Sequence, residues 1–118
     1  MKTDNIILTR SFDFALSSIK LYSMLTENRE YVISKQFLRS STSVGANVEE
    51  AIAAQSLKKF ISKMSIASKE AREPCYWLRL LQKSQLVNYD FNSHLDHANE
   101  IIRIITAIVK SSQEKLKL

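Results

Sequence analysis

The chain has 118 residues, enough for one domain, and it contains only one glycine, one proline and one cysteine. So few turn-forming residues exclude a many-stranded β sandwich or barrel, and no segment alternates strand with helix. Apolar residues make up 45% of the chain, so intrinsic disorder is not expected. Composition therefore predicts a single all-α domain over residues 1–118.

The charge balance is basic, with 17 lysines and arginines against 12 acids and a formal net charge of +5. This excess permits binding to phosphate backbones or acidic partners without proving it. The lone Cys75 forms no intrachain disulfide, which favours a reducing cytoplasm. Arg10 and Asp13 interrupt the N-terminal apolar stretch, which argues against a signal peptide. The apolar run Ile101–Val109 is too short to span a bilayer, so no membrane partner is expected.

Capping residues divide the chain into four helices with short connections between them. Thr3 and Asp4 are the predicted caps of the first helix, Ser56 caps the third, and Asp90 caps the fourth. The first predicted helix ends at about Glu27, and the second runs from about Tyr31 to Gln55. The third runs from about Leu57 to Lys83, and the fourth from Asp90 to about Lys115.

Each segment carries apolar or small residues at alternating spacings of four and three, the pattern of a bundle core. Long helices with short connections make sequential neighbours antiparallel, so the sequence predicts an up-down-up-down four-helix bundle. The predicted core positions are Leu8, Phe12, Ala15, Ile19 and Tyr22 in the first helix; Phe37, Ser41, Val44, Val48 and Ala51 in the second; Phe60, Met64, Ala67, Ala71, Pro74, Leu78 and Leu81 in the third; and Phe91, Leu95, Ala98, Ile102, Ile105, Val109, Ser112 and Leu116 in the fourth.

The face of the third helix opposite its core positions is basic, with cations and one tyrosine in a line and no acid between them. One interpretation is a solvated face that happens to be basic. The other is a surface that follows a phosphate backbone, with the tyrosine stacking on a base. The residues of this candidate nucleic-acid-binding stripe are Lys58, Lys69, Arg72, Tyr76, Arg79 and Lys83.

A second row of side chains flanks the core positions, and it holds more apolar area than a monomeric bundle needs. A wide core would account for it, but a subunit interface is favoured because large apolar patches rarely stay exposed. In the second helix the row is small and polar, and acids of the third helix could cover it. In the first helix the row is Ile7, Ser11, Phe14, Ser18, Leu21 and Leu25. The predicted interface residues are Ser40, Ser43, Asn47, Glu50, Ile66, Glu70, Glu73, Trp77 and Leu80.

Enzyme chemistry finds little support in the sequence. His94 and His97 would share a helix face and suit a metal, but no third ligand is fixed by spacing, so a polar helix end is favoured. Glu70 and Glu73 could form a catalytic pair, although a structural ion-pair role is favoured. No catalytic residue, metal, cofactor or small-molecule substrate is therefore predicted.

Two blocks carry a family resemblance that covers almost the whole chain. QFLRSSTSVGANVEEA (Gln36–Ala51) and FISKMSIASKEAREPCYWLRLL (Phe60–Leu81) resemble the second and third helices of the four helix bundle protein family. This family includes proteins encoded in intervening sequences of bacterial 23S ribosomal RNA genes. One departure is Pro74, where the family pattern has Thr, and this residue is predicted to kink the third helix. The matching positions are Gln36, Arg39, Ser43, Asn47, Glu50, Ala67, Lys69, Glu70, Ala71, Glu73, Tyr76, Trp77 and Leu78.

The resemblance implies a small antiparallel bundle that assembles into a ring-shaped homopentamer and associates with rRNA or another nucleic acid. The expected function is therefore non-enzymatic and rests on electrostatic contact with RNA through the third helix. The alternative is an oligomeric scaffold that recruits a partner enzyme and binds no nucleic acid. Partner binding that survives high salt would distinguish the scaffold.

Overall fold

A computed structural model describes residues 2–118, with side chains from residue 6 onward. The described residues form five α-helices and no β-strand, which confirms the predicted all-α class. Only Ala71 separates the third element from the fourth, so the chain has four long helical segments, one of them broken. The helices are α1 (Lys2–Glu27), α2 (Ile33–Ile52), α3 (Leu57–Glu70), α4 (Arg72–Ser84) and α5 (Asn92–Leu116).

The break between α3 and α4 follows from Pro74. A proline ring inside a helix clashes with the carbonyl group four residues earlier, which here belongs to Glu70. The helix is interrupted immediately after Glu70 and resumes at Arg72, so Pro74 lies in the first turn of α4. Backbone N–H groups in a first turn have no helical partner, so the proline leaves no bond unmade there. The interruption lies within one turn of Pro74, where the kink is predicted, and Ala71 itself keeps a right-handed helical backbone conformation (φ −64°, ψ −17°).

Of the predicted caps, Ser56 is confirmed, whereas the N-cap position of α5 is Phe91, one residue after the predicted Asp90. The Ser56 hydroxyl accepts a hydrogen bond from the backbone N–H of Lys59 at 3.2 Å. The Asp90 carboxylate accepts one from the backbone N–H of Asn92 at 2.9 Å, at the start of α5. The side chains of Thr3 and Asp4 lie outside the described residues, and the backbone is helical from Lys2.

The start of α2 uses a cap that the sequence did not reveal. Arg29 adopts a left-handed backbone conformation (φ 67°) and ends the turn after α1. Glu30 follows and is buried, and its carboxylate accepts hydrogen bonds from the backbone N–H groups of Val32, Ile33 and Ser34. A negative charge at a helix N-terminus also interacts favourably with the helix dipole. One carboxylate therefore supplies the acceptors that a serine or aspartate cap normally provides.

Packing joins the helices in a closed order. α1 contacts α2 and α5, whereas α3 and α4 also contact α2 and α5; among the described residues α1 contacts neither α3 nor α4. Arg10 lies 3.8 Å from Glu100, and Ser17 lies 3.3 Å from His94, so positions advance along α1 as they retreat along α5. These contacts are consistent with antiparallel neighbours. No helix in the described part of the chain is long and apolar enough to cross a membrane.

The core confirms the predicted register of α2, where all five predicted positions are buried. It also confirms that of α3 and α4, where only Phe60 remains half-buried. In α5, Ala98, Ile105 and Ser112 are buried as predicted, and Ile101 and Ile108 from the flanking row are buried as well. The predicted core residue Leu116 is exposed.

The predicted register of α1 is wrong. Its buried residues are the row expected to flank the core, Ile7 to Leu25, whereas Phe12 and Ile19 are exposed. Both rows repeat every three or four residues, and the exposed one is the more apolar. The buried serines of the true core row lose little, because they hydrogen-bond their own helix; the Ser18 hydroxyl donates to the Phe14 carbonyl at 2.7 Å.

Candidate functional site

The basic stripe of the third helical segment is fully displayed on the surface. All six predicted residues are exposed, from Lys58 in the first turn of α3 to Lys83 in the last turn of α4. At 1.5 Å per residue this line is about 38 Å long. Within the described residues, none of its five cations forms an ion pair with a carboxylate. The stripe therefore presents unneutralised positive charge along its whole length.

Two of the stripe arginines make local contacts that fix their direction. Arg72 Nη1 donates to the Ser68 carbonyl at 2.6 Å, which ties the side chain across the break between α3 and α4. The Arg79 guanidinium lies 5.9 Å from the centre of the Tyr76 ring, within the range of a cation–π contact. Tyr76 also meets Trp77 edge to face at 5.1 Å. The aromatic residue of the stripe is thus held in place by its neighbours.

Positive charge of the stripe also acts on the one cysteine. Burial raises the pKa of the Cys75 thiol above its ordinary value, while Arg79 and Arg72 partly oppose that rise. Cys75 is a free, half-buried thiol, and its Sγ lies 3.7 Å from the Asn99 side-chain oxygen. A thiol with a raised pKa is mostly protonated at neutral pH, so it is a poor nucleophile.

Several predicted interface residues come together on one face of the chain. A groove of about 350 Å³ lies between α2 and the α3–α4 segment, and we call it the α2–α4 groove. It contains four of the predicted interface residues, two from α2 and two acids near the helix break. Its lining is Gln36, Arg39, Ser40, Ser43, Glu70 and Glu73.

Polar contacts inside the chain hold this face together. The Asn47 amide donates to the Glu70 carboxylate at 2.6 Å, so the polar row of α2 is covered at this point by the same chain. Lys63 lies 3.9 Å from the exposed carboxylate of Glu50. The Trp77 indole N–H donates to the Glu73 carboxylate at 2.9 Å, which directs the half-buried ring along α4.

Two further predicted interface residues lie outside the lining of the α2–α4 groove. Ile66 is exposed on α3. Leu80 is half-buried and lines a separate cavity of about 440 Å³ where α4 meets the start of α5, together with Tyr76 and Lys83 of the basic stripe.

The sequence missed the apolar outer face of α1. Phe12, Leu16 and Ile19 are 60%, 46% and 49% exposed, and their spacing of four and three places them in one line, which we call the α1 stripe. Phe12 and Ile19 were assigned to the core because an apolar row at helical spacing predicts burial. The available signal was the competing row on the same helix, since one helix cannot bury both in a narrow core.

The two histidines occupy different surroundings. His94 lies between two hydroxyl groups, with Ser17 Oγ 3.3 Å from Nδ1 and the Tyr89 hydroxyl 3.4 Å from Nε2. Burial, and secondarily the charge of His97, lower the pKa of His94. The His97 ring packs edge to face on Phe14 at 5.2 Å. No group of three or more metal-binding side chains occurs among the described residues.

The helices and the exposed cationic line define a small all-helical protein with a basic face. The chain belongs to the 23S rRNA-intervening sequence protein family, whose profile matches residues 3–107. This match confirms the resemblance carried by the α2 and α3–α4 sequence blocks.

A solved structure agrees with this assignment. The chain is 42% identical to a protein of unknown function from the S23 ribosomal protein family of Bacteroides thetaiotaomicron VPI-5482, with a TM-score of 0.86. That similarity covers 92% of this chain and 98% of the other. No curated protein matches the chain.

Proposed function

We propose that the protein is a non-enzymatic, homo-oligomeric four-helix bundle that binds RNA through the basic stripe on α3 and α4. The observation that carries the proposal is the line of five exposed cations from Lys58 to Lys83, none of which forms an ion pair within the described residues. A row of this kind matches the charge of a phosphate backbone. The reversed order of contacts between α1 and α5 supports an up-down-up-down arrangement.

The proposed binding is electrostatic and largely independent of sequence. Lysines and arginines that contact phosphates fix the position of an RNA strand but carry no base information. Several copies of the stripe in one assembly would add weak contacts into a useful avidity. Tyr76 offers a ring for stacking, although Arg79 already lies over it at 5.9 Å.

The test replaces Lys69, Arg72 and Arg79 with glutamate and measures affinity for rRNA fragments and random RNA across a salt series. Wild-type affinity is expected to fall steeply with salt. The triple variant is expected to bind more weakly and to lower the salt slope by about 2, because each phosphate contact contributes about 0.7 on a single strand. Circular dichroism checks that helicity is retained.

The matched control carries the same charge change on another face. Arg103 and Lys110 of α5 and Lys117 directly after it are exposed cations, and their replacement by glutamate should leave most of the affinity intact. Equal losses of RNA affinity in the two variants would show that net charge alone matters. Wild-type RNA affinity in the triple variant of the basic stripe would remove the basic stripe from the proposal.

We also propose that the protein forms a homopentamer, as the family resemblance implies. The exposed apolar side chains of α1 and the half-buried Trp77 support an assembly, since such surfaces are usually covered. Light scattering should give a mass several times the 13.5 kDa of one chain. Trp77→Ala or Ser43→Arg should reduce that mass before it unfolds the chain. A wild-type monomer at micromolar concentration would contradict the assembly.

The second candidate function is a scaffold that recruits a partner enzyme. The cavity between α4 and α5 favours it, because Leu80 and Leu95 give an apolar surface beside the stripe. Capture of a partner protein that persists in high salt, and that the triple glutamate variant of the basic stripe does not weaken, would support the scaffold over RNA binding. For both candidates we propose the cytoplasm, where a lone free thiol such as Cys75 is common.

A further inference from the structure

One cavity of the chain has a lining of mixed chemistry that the basic stripe alone does not explain. It lies where α4 meets the start of α5, has a volume of about 440 Å³, and we call it the α4–α5 cavity. Binding sites for small organic groups usually occupy about 300–1,000 Å³, so this cavity has room for one such group. Three of its lining residues, Tyr76, Arg79 and Lys83, also belong to the basic stripe.

A hydrogen bond within the chain fixes the shape of the cavity and leaves amide groups free. The Gln82 side-chain oxygen accepts from the backbone N–H of Phe91 at 2.9 Å, which links the end of α4 to the residue before α5. The side-chain nitrogen of Gln82 has no partner in the described part of the chain. Asn92, the first residue of α5, also lines the cavity, and within the described residues only its backbone is hydrogen-bonded. The cavity therefore offers amide donors to a ligand.

The rest of the lining combines positive charge with apolar surface. Arg79 and Lys83 are exposed cations one turn apart on α4, and no carboxylate of the described residues lines the cavity. Leu80 and Leu95 are half-buried and supply apolar surface. The Tyr76 ring, 47% exposed, lies one turn before Leu80 on the same helix. A ligand that suits all of these groups carries a negative charge, a flat body with apolar faces, and hydrogen-bond acceptors.

We propose that the α4–α5 cavity receives the base of one unpaired nucleotide from an RNA strand that follows the basic stripe. This inference rests on the proposed RNA binding and adds that the protein prefers single strands. A nucleotide has the required combination of groups: a phosphate for the cations, a flat base that stacks on aromatic side chains, and edge atoms that accept hydrogen bonds from amides.

The position of the cavity favours a nucleotide over a segment of a partner protein. Arg79 and Lys83 belong both to the stripe and to the lining, so a phosphate that they bind lies at the cavity with its own base beside it. A protein segment would have to bring acidic groups of its own to these cations. The bases of a duplex are stacked in pairs inside the helix, so only an unpaired base can enter.

The contact between Arg79 and Tyr76 suits this role. The guanidinium lies 5.9 Å from the centre of the ring, and Trp77 meets the same ring edge to face at 5.1 Å. Unpaired bases stack on arginine planes as well as on aromatic rings. The two side chains together therefore form a stacking surface that is already held in place before RNA binds.

The experiment compares a short single-stranded RNA with the same strand annealed to its complement, each across a salt series. A duplex has the higher charge density, so a purely electrostatic surface would favour it. The wild type is instead expected to bind the single strand about tenfold more tightly, because stacking of one base contributes an effect of that order.

The first variant, Tyr76→Leu, removes the stacking ring and no charge. It should lose about tenfold in affinity for the single strand, with an unchanged salt slope and an unchanged affinity for the duplex. The matched control is Tyr31→Leu, at a tyrosine that is 61% exposed in the connection between α1 and α2. This control should bind both RNAs as the wild type does.

The second variant, Asn92→Asp, places a carboxylate in the cavity without changing the stripe. Asn92 is exposed and lies in the first turn of α5, where an acid is favourable, so folding should survive, as circular dichroism can verify. Affinity for the single strand should fall several-fold more than affinity for the duplex. Asn88→Asp makes the same charge change at an exposed residue outside the lining and should lower both affinities equally and less.

The outcomes separate this inference from the proposed function. A wild type that binds both RNAs without preferring the single strand would overturn the inference and leave the basic stripe in place. Single-strand affinity that neither Tyr76→Leu nor Asn92→Asp lowers would also overturn it, and would leave the cavity to a partner protein. A wild type that binds neither RNA would overturn the proposed RNA binding and the inference with it.

Discussion

The outer face of α1 and the face shared by α2 and α4 differ in how their side chains are satisfied. On the α2–α4 face, Asn47, Glu70, Glu73 and Trp77 hydrogen-bond one another within the chain. On α1, by contrast, Phe12 and its two apolar neighbours project from a helix whose opposite side is already packed. On the first face two acids already accept hydrogen bonds within the chain, whereas the second face leaves three large apolar side chains exposed.

This difference shows that apolar content does not decide which side of a helix is buried. The core row of α1 contains Ser11 and Ser18, and the outer row contains Phe12 and Ile19. Serine fits the core because its hydroxyl returns to its own helix backbone, and because a small side chain allows α2 to approach. Burial of a row therefore depends on the shape of the neighbouring helix as well as on hydrophobicity.

The largest predicted effect separates the two sides of α1. Phe14 is buried and meets Phe37 edge to face at 6.4 Å, so Phe14→Ala should lower the free energy of unfolding by about 3–5 kcal/mol. Phe12→Ala should change the free energy of unfolding of the single subunit by less than about 0.5 kcal/mol. Urea unfolding at several protein concentrations measures both, since assembly contributes only the concentration-dependent part. The reverse order of effects would restore the register predicted from sequence.

The core positions of α2 and of the broken third segment were predicted well, because the row beside them is polar in α2 and is interrupted by Glu70 and Glu73 in the third segment. On α2 the row that contains Val44 and Val48 is the apolar one, so the buried side could be identified. Pro74 indicated the helix break because a proline ring cannot fit inside a continuous helix. In α1 two rows share one period, so spacing could not choose between them. The sequence indicated that acids of the third helix could cover the polar row of α2, and Asn47 does donate a hydrogen bond to Glu70 of the same chain. Glu30 could not be foreseen as a cap, since its role depends on the turn at Arg29.

The next prediction concerns the polar face. Asn47 donates to the charged Glu70 and also to the Ser43 carbonyl, at 2.6 and 2.9 Å, so Asn47→Ala should cost about 1–2 kcal/mol of unfolding free energy. The control is Glu50→Gln, which removes an exposed ion pair to Lys63 and should cost less than about 0.5 kcal/mol. Thermal unfolding would distinguish the two variants. Equal small losses of unfolding free energy would mean that the Asn47–Glu70 hydrogen bond contributes no more than an exposed ion pair.

A smaller effect tests how closely α1 approaches α2. A Cβ atom added at Gly45 would lie 3.5 Å from the Ser11 carbonyl oxygen, an ordinary contact distance. Gly45→Ala should therefore raise the unfolding free energy by about 0.5–1 kcal/mol, because alanine loses less backbone entropy in a helix. A lower melting temperature would mean that the helices meet more tightly than this distance indicates.

The smallest expected effect is a change in the pH dependence of stability, and it concerns the contact between His94 of α5 and Ser17 of α1. Because the folded pKa of His94 is lowered from 6.5, the unfolded chain binds a proton first as pH falls. Stability should therefore be lost as pH falls from above 6.5 through the folded pKa, and regained as pH rises. Melting temperatures between about pH 8 and pH 5 should show a shallower dependence in His94→Gln than in the wild type. Identical slopes would exclude this histidine as a source of acid sensitivity.

The buried carboxylate of Glu30 has a consequence for anyone who inserts a tag or a fusion partner into this chain. The turn between α1 and α2 works at one length only, because Glu30 reaches three backbone N–H groups at once. Added residues would separate the acceptor from its donors and leave the start of α2 uncapped. The connection between α2 and α3 is exposed at Ala53 and Gln55 and depends on a local serine cap, so it should tolerate an insertion that the first turn would not.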